Sequence, residues 1–147
     1  MIHGLWGVKT TTALQERLVT LSREDRGLSY DILYYALSTS PNKQAACVTR
    51  LIDFLADADT TNVAGRAAWG LGYGVVPEEQ ARVADAMLKL YDARDDGYLR
   101  KNAFTALGSY AGAAHLPALE QLSAKPGISE QDKQKVDGII ARVKQPK

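Results

Sequence analysis

One cysteine, Cys47, and two histidines, His3 and His115, are all that 147 residues offer in thiols and imidazoles. A lone thiol excludes an internal disulfide framework and fits a reducing compartment. The histidines stand far apart, with no His-Glu, His-x-x-x-His or Cys-x-x-Cys spacing that would gather a metal, so no metal site or cofactor is expected. A charge excess is missing too: 18 Lys and Arg against 17 Asp and Glu leave +1. Chains built for nucleic acid or a membrane surface usually carry a strong basic surplus, so this balance disfavours both partners. No apolar run approaches the roughly 18 residues that span a bilayer. The longest weakly charged stretch, 67–77, holds three glycines. No basic segment followed by an apolar run opens the chain, so no secretory signal is expected and the cytoplasm is the expected location.

What the chain has in quantity is alanine, 21 residues, and leucine, 17, which favours closely packed helices. Apolar residues recur at i, i+3, i+4, i+7 in Tyr30, Leu33, Tyr34 and Leu37, in Val48, Leu51, Ile52 and Leu55, and in Val136, Ile139, Ile140 and Val143. No segment alternates long enough to suggest a strand. The spacing predicts about eight helices, near 10–22, 29–39, 42–57, 61–74, 77–93, 97–111, 115–124 and 129–144. Ser29, Asp96 and Ser129 are candidate caps, and Pro41 and Pro77 are candidate first-turn prolines. Short links and no low-complexity tract predict one domain over 1–147, made of helical hairpins.

An internal repeat runs through those helices. A shift of 36 places Val63, Ala67, Leu71 and Gly72 on Leu99, Ala103, Leu107 and Gly108, and a shift of 34 carries Leu33, Ala36 and Leu37 onto Ala67, Gly70 and Leu71. The stretch Tyr98-Leu-Arg-Lys-Asn-Ala-Phe-Thr-Ala-Leu-Gly108, followed by Ala114-His-Leu-Pro-Ala-Leu-Glu-Gln-Leu122, resembles a HEAT-type repeat, in particular the short HEAT-like repeats of the bilin-lyase kind. Arg66-Ala-Ala-Trp-Gly-Leu-Gly72 is a partial second copy. The resemblance is clearest over 61–122, weaker over 29–57 and absent from 1–28. It implies an all-α, right-handed solenoid of stacked antiparallel hairpins, with 1–28 as an N-terminal cap and 129–145 as a C-terminal capping helix. Small residues such as Ala67, Ala68, Gly70, Ala103 and Ala106 would let first helices meet closely. A fold resemblance does not select a function, since such repeats occur in scaffolds, lyases, hydroxylases and DNA-repair glycosylases.

No catalytic set assembles from the residues. The alternating glycines of Gly70-Leu-Gly-Tyr-Gly74 lack the strand and the Lys or Ser/Thr of a phosphate loop, and read as a helix end. Cys47 has only Ala45, Ala46 and Val48 around it and reads as a small core residue. His115 reads as a surface or turn residue, and the clustered carboxylates as caps and solvated groups. Tyr35, Trp69 and Tyr73 fall off the apolar stripes, which makes them candidate interface anchors, although stacked hairpins could bury them against a neighbour. Trp6 poses the same choice, as an anchor for the N-terminal arm or a dimer contact.

In HEAT-like stacks the second helices line the concave surface. Here they would offer Arg50 and Asp53, then Arg82, Asp85 and Lys89, alternating in sign as suits a solvated face or a protein partner. The leading expectation is a non-enzymatic scaffold or adaptor that binds another protein, or itself as a homodimer, through one face. Two others stand beside it. One is a HEAT-like enzyme or nucleic-acid-acting protein, glycosylase-like or bilin-lyase-like, with a ligand on the concave face. The other is a small effector-neutralising protein of the immunity or antitoxin kind.

Overall fold

The computed structural model describes residues 3–56, 61–93 and 96–145. Among them are eight α-helices and no strand: α1 (Thr12–Glu24), α2 (Arg26–Ile32), α3 (Ala45–Ala56), α4 (Thr61–Gly72), α5 (Gln80–Ala93), α6 (Gly97–Tyr110), α7 (Leu116–Ser123) and α8 (Glu130–Lys144). No helix among the described residues is long and apolar enough to cross a membrane.

Helix starts follow cap chemistry. Thr11, Asp25, Asp96 and Ser129 each accept a backbone N–H three residues on, which satisfies one of the orphan donors of the first turn. Asp96 and Ser129 were the expected caps, but Asp25 displaces Ser29. The second helix therefore begins at Arg26, and Ser29 is buried inside it with its hydroxyl donating to the Arg26 carbonyl at 2.9 Å. Pro41 opens no helix; it sits in a turn, and α3 begins at Ala45. After Ile32 the backbone widens into a single π-turn, 33–37, in which the Ser38 N–H reaches the Leu33 carbonyl at 3.0 Å.

Helices α3 and α4, α5 and α6, and α7 and α8 pair with each other, and each layer also packs sideways. On one side α1 meets α3 and α3 meets α5. On the other the π-turn meets α4, α4 meets α6 and α6 meets α8. These helix–helix contacts are consistent with a helical repeat arrangement. One continuous core joins the pairs, running from Ile32, Leu33 and Leu37 through Leu51, Phe54, Leu71 and Met87 to Leu107, Leu119 and Val136.

The close approaches lie where small residues were expected. Ala64, Ala67, Ala68, Ala103 and Ala106 are all buried in the α4–α6 layer. A Cβ added to Gly72 would sit 3.5 Å from the Ala106 backbone, and one added to Gly70 would sit 2.6 Å from the Ser38 Cα. The second distance leaves no room for any side chain. Gly74 ends the α4 segment with φ +70°, a left-handed conformation that suits glycine, and packs against Pro41.

Polar bonds repeat the same spacing. Hydrogen bonds from Arg50 to Ser22, Arg82 to Thr49, Arg66 to Ser38 and Tyr34, Lys43 to Tyr73, Val76 to Tyr110, and Arg142 to Ala111 all span 28 to 34 residues. One hairpin is thus tied to the next at every step by a donor that meets its acceptor about one repeat away.

Candidate functional site

The charged residues expected on the second helices turn out to serve the stacking itself. Arg50 lies over the Phe54 ring at 4.1 Å and donates to the Ser22 hydroxyl at 2.8 Å and the Ser22 carbonyl at 2.9 Å, fastening α3 to α1. Asp53 is solvent-facing and pairs with Arg23 of α1 at 3.3 Å. Arg82 bridges Glu79 and the Thr49 hydroxyl, both at 2.7 Å, and so links α5 to α3. Asp85 lies 3.7 Å from His115 Nε2. His115 lies in the turn before α7, one of the two placements its sequence context suggested, and is buried there rather than at the surface. Its Nδ1 accepts the Gly112 N–H at 3.0 Å, which leaves its own proton on Nε2 toward Asp85.

Lys89 is the exception in this layer. It points into two shallow grooves, one of about 310 Å³ with Ile52, Leu55 and Leu90, and one of about 540 Å³ with Leu88, Gln121 and Lys125.

The aromatic candidates gather on the opposite layer, and what gathers them is Arg66. Residues 66 and 69 of α4 and residue 73, just past its end, recur at i, i+3 and i+7 and share one face. The Arg66 guanidinium lies over the Trp69 ring at 4.1 Å and 5.5 Å from the Tyr34 ring centre. Trp69 in turn stacks on Tyr73 with centroids 5.0 Å apart and planes within 10°. Beyond Tyr73, the Lys43 ammonium lies 5.2 Å from the ring centre.

The row is built on fixed bonds. Arg66 Nε donates to the Ser38 hydroxyl and its Nη2 to the Tyr34 carbonyl, both at 3.0 Å, while the Ser38 hydroxyl gives its proton to the Leu33 carbonyl at 2.6 Å. The π-turn therefore supplies the acceptors that aim the guanidinium. Lys43 is buried and donates to the carbonyls of Ser40 and Tyr73.

Tyr98 of α6 completes the face. It is 48% exposed, and its ring occupies the space over Gly65 that a Cβ would fill. Tyr34, Tyr35 and Tyr98 all lie within electrostatic reach of Arg66. Burial, followed by the neighbouring Tyr98, raises the Tyr34 phenol above its ordinary range. Tyr35 and Trp69 are half-buried and Tyr73 is 40% exposed, so rings with one wet edge lie together on a rigid support.

Burial pushes the Cys47 thiol up to about 12, with Lys43 only partly offsetting it, and its Sγ faces the Leu37 carbonyl. Burial pulls the Lys43 ammonium down to about 8. Among the described residues no three His, Cys, Asp or Glu side chains cluster as metal ligands do.

Of the eight sequence candidates, the structure stacks Trp69 on Tyr73, places Tyr35 within electrostatic reach of Arg66, draws Arg50, Asp53 and Arg82 into bonds between helices and sets Asp85 beside His115. Sequence reasoning missed Arg66, Tyr34, Tyr98 and Lys43. The available signal was Arg66 standing one turn before Trp69 in an alanine-rich helix. No protein-family model, curated protein or solved structure matches the chain.

Proposed function

We propose that the chain is a small HEAT-like right-handed solenoid that works as a non-enzymatic protein-binding module. Its contact face is the row Arg66, Trp69 and Tyr73 with Tyr34, Tyr35 and Tyr98 beside it. The observation that carries this reading is the stacked Trp69–Tyr73 pair capped by a hydrogen-bonded Arg66 and left partly open to solvent. Trp, Tyr and Arg dominate interface hot spots because they bring large contact area with few rotatable bonds. Here those bonds are already locked, so a partner meets a prepared surface and association loses less side-chain freedom.

The test is affinity capture from the native host, followed by titration of the captured protein, purified, against the wild-type chain and a Trp69→Ala/Tyr73→Ala variant. Loss of binding by about tenfold or more, in a variant whose circular dichroism is unchanged, supports the reading. Equal affinity for both chains contradicts it.

A further inference from the structure

A second surface lies at the other end of the stack. Helices α6 and α8 share a layer but do not close on each other. An open groove of about 430 Å³ runs between them, within the usual size of ligand clefts, about 300–1,000 Å³. α6 lines it with Lys101, Phe104, Thr105 and Gly108, and α8 with Lys135, Gly138, Ile139 and Arg142. Each set recurs at i, i+3, i+4 and i+7, and the two sets are related by the 34-residue repeat shift. The groove is thus an ordinary seam of the stack that has been left open.

Two polar contacts tie its ends together. Near the start of the helices Arg100 pairs with Asp132 at 3.7 Å, and near their ends Arg142 Nη2 donates to the Ala111 carbonyl at 2.7 Å. Between these contacts stand Gly108 and Gly138, and a Cβ at either would touch nothing within 4 Å. Where Ala67, Ala68, Ala103 and Ala106 fill the α4–α6 seam, this one has open space over Gly108 and Gly138, while Phe104 and Ile139 are buried beneath it and the Lys135 ammonium lies 5.5 Å from the Phe104 ring centre.

Its charge is of one sign. Three cations and no carboxylate line the groove among the described residues. The Lys101 ammonium has no ion pair or hydrogen bond among the described residues, and the Lys135 ammonium has Asp132 at 4.0 Å, a carboxylate shared with Arg100, and the Phe104 ring at 5.5 Å. The lining from 101 to 108 covers about two helical turns.

We propose that this groove takes an acidic amphipathic helix of a partner protein. Its apolar stripe fills the space above Gly108 and Gly138, and its carboxylates meet Lys101, Lys135 and Arg142. This is helix-in-groove recognition with cationic walls. It goes beyond the aromatic face and does not depend on it.

The test uses the full chain and a defined probe: a fluorescein-labelled helical peptide about four turns long, leucine at 3–4 spacing and glutamate elsewhere. Its control carries lysine for every glutamate. Fluorescence anisotropy should show binding of the glutamate peptide only, weakening as salt rises. Gly138→Leu, which fills open space, and Lys101→Glu should each lower affinity about tenfold or more with the melting temperature preserved. If Gly138→Leu does not fold, Lys101→Glu alone decides, because that side chain is exposed and unbonded. Equal binding of both peptides, no binding to the wild-type chain, or unchanged affinity in the folded variants overturns the proposal. So does displacement of the peptide by an equimolar amount of tripolyphosphate, which would make the groove a general anion site.

Discussion

The α4–α6 seam and the α6–α8 seam occupy equivalent places in the repeat, yet one is shut and the other open. In the first, Ala67 and Ala68 of α4 face Ala103 and Ala106 of α6, Gly72 rides against Ala106, and every one of the four alanines is buried. In the second, the repeat shift puts Lys135 opposite Lys101 and Gly138 opposite Phe104, and no alanine stripe bridges the gap. Both seams carry glycines, so small residues alone do not close a stack. Closure needs methyl groups on both sides, because dispersion contacts form only where atoms meet. Gly108 and Gly138, beside long cationic side chains, leave room between the two points where the arginine contacts tie the helices.

The closed half should break hardest. Leu71→Ala removes a fully buried side chain from α4 and is expected to cost about 2–5 kcal/mol in urea unfolding. Arg66→Ala comes next, at about 1–3 kcal/mol, because it loses two charge-assisted bonds that tie α4 to the π-turn. The same change should lower affinity for a partner of the aromatic face and leave peptide binding in the α6–α8 groove intact. That separates the two surfaces.

Cys47 tests the closed half through pH. Its folded thiol titrates near 12, above the ordinary 9.0, so the unfolded chain loses this proton first. Its contribution is fully present below pH 9 and is lost as pH rises toward 12. Lys43 acts oppositely: lowered from 10.5 to about 8, it makes stability rise between those values. Cys47 and Lys43 shift each other, so the stability difference between wild type and Cys47→Ala carries part of the lysine's contribution, but it should still shift in favour of the variant above pH 9. A pH-independent difference would show that the thiol is not held protonated by burial. The smallest effect is expected at Asp53→Asn, within about 0.5 kcal/mol, since the Arg23–Asp53 pair is solvent-facing. A larger loss would mean that the exposed rungs help hold α1 to α3.

Helix count and the small-residue stripe were legible because both are local patterns: Val48, Leu51 and Leu55 mark a buried face by spacing alone, and Ala67 and Ala103 recur at the repeat. Ser29 misled because Asp25, an equally good cap, lies four residues earlier and local chemistry does not choose between them. His115 lies in a turn, as its context allowed, but its burial was not legible, because burial is set by packing with helices distant in sequence. The same distance hid the role of Arg50 and Arg82, whose acceptors Ser22 and Thr49 belong to the preceding helix of the layer. The α6–α8 groove was illegible for a related reason. Lys135 reads as part of a solvated helix start until Lys101 is placed beside it.

The most direct measurement of the contrast between seams is urea unfolding of Gly70→Ala and Gly138→Ala, side by side in the full chain. Alanine at 70 would meet the Ser38 backbone at 2.6 Å and should destabilise by about 1–3 kcal/mol. Alanine at 138 meets open space in a helix interior and should stabilise by about 0.5–1 kcal/mol. Opposite signs are the expected result; a loss of stability in both variants would mean that the α6–α8 seam is closed in solution and would contradict the account.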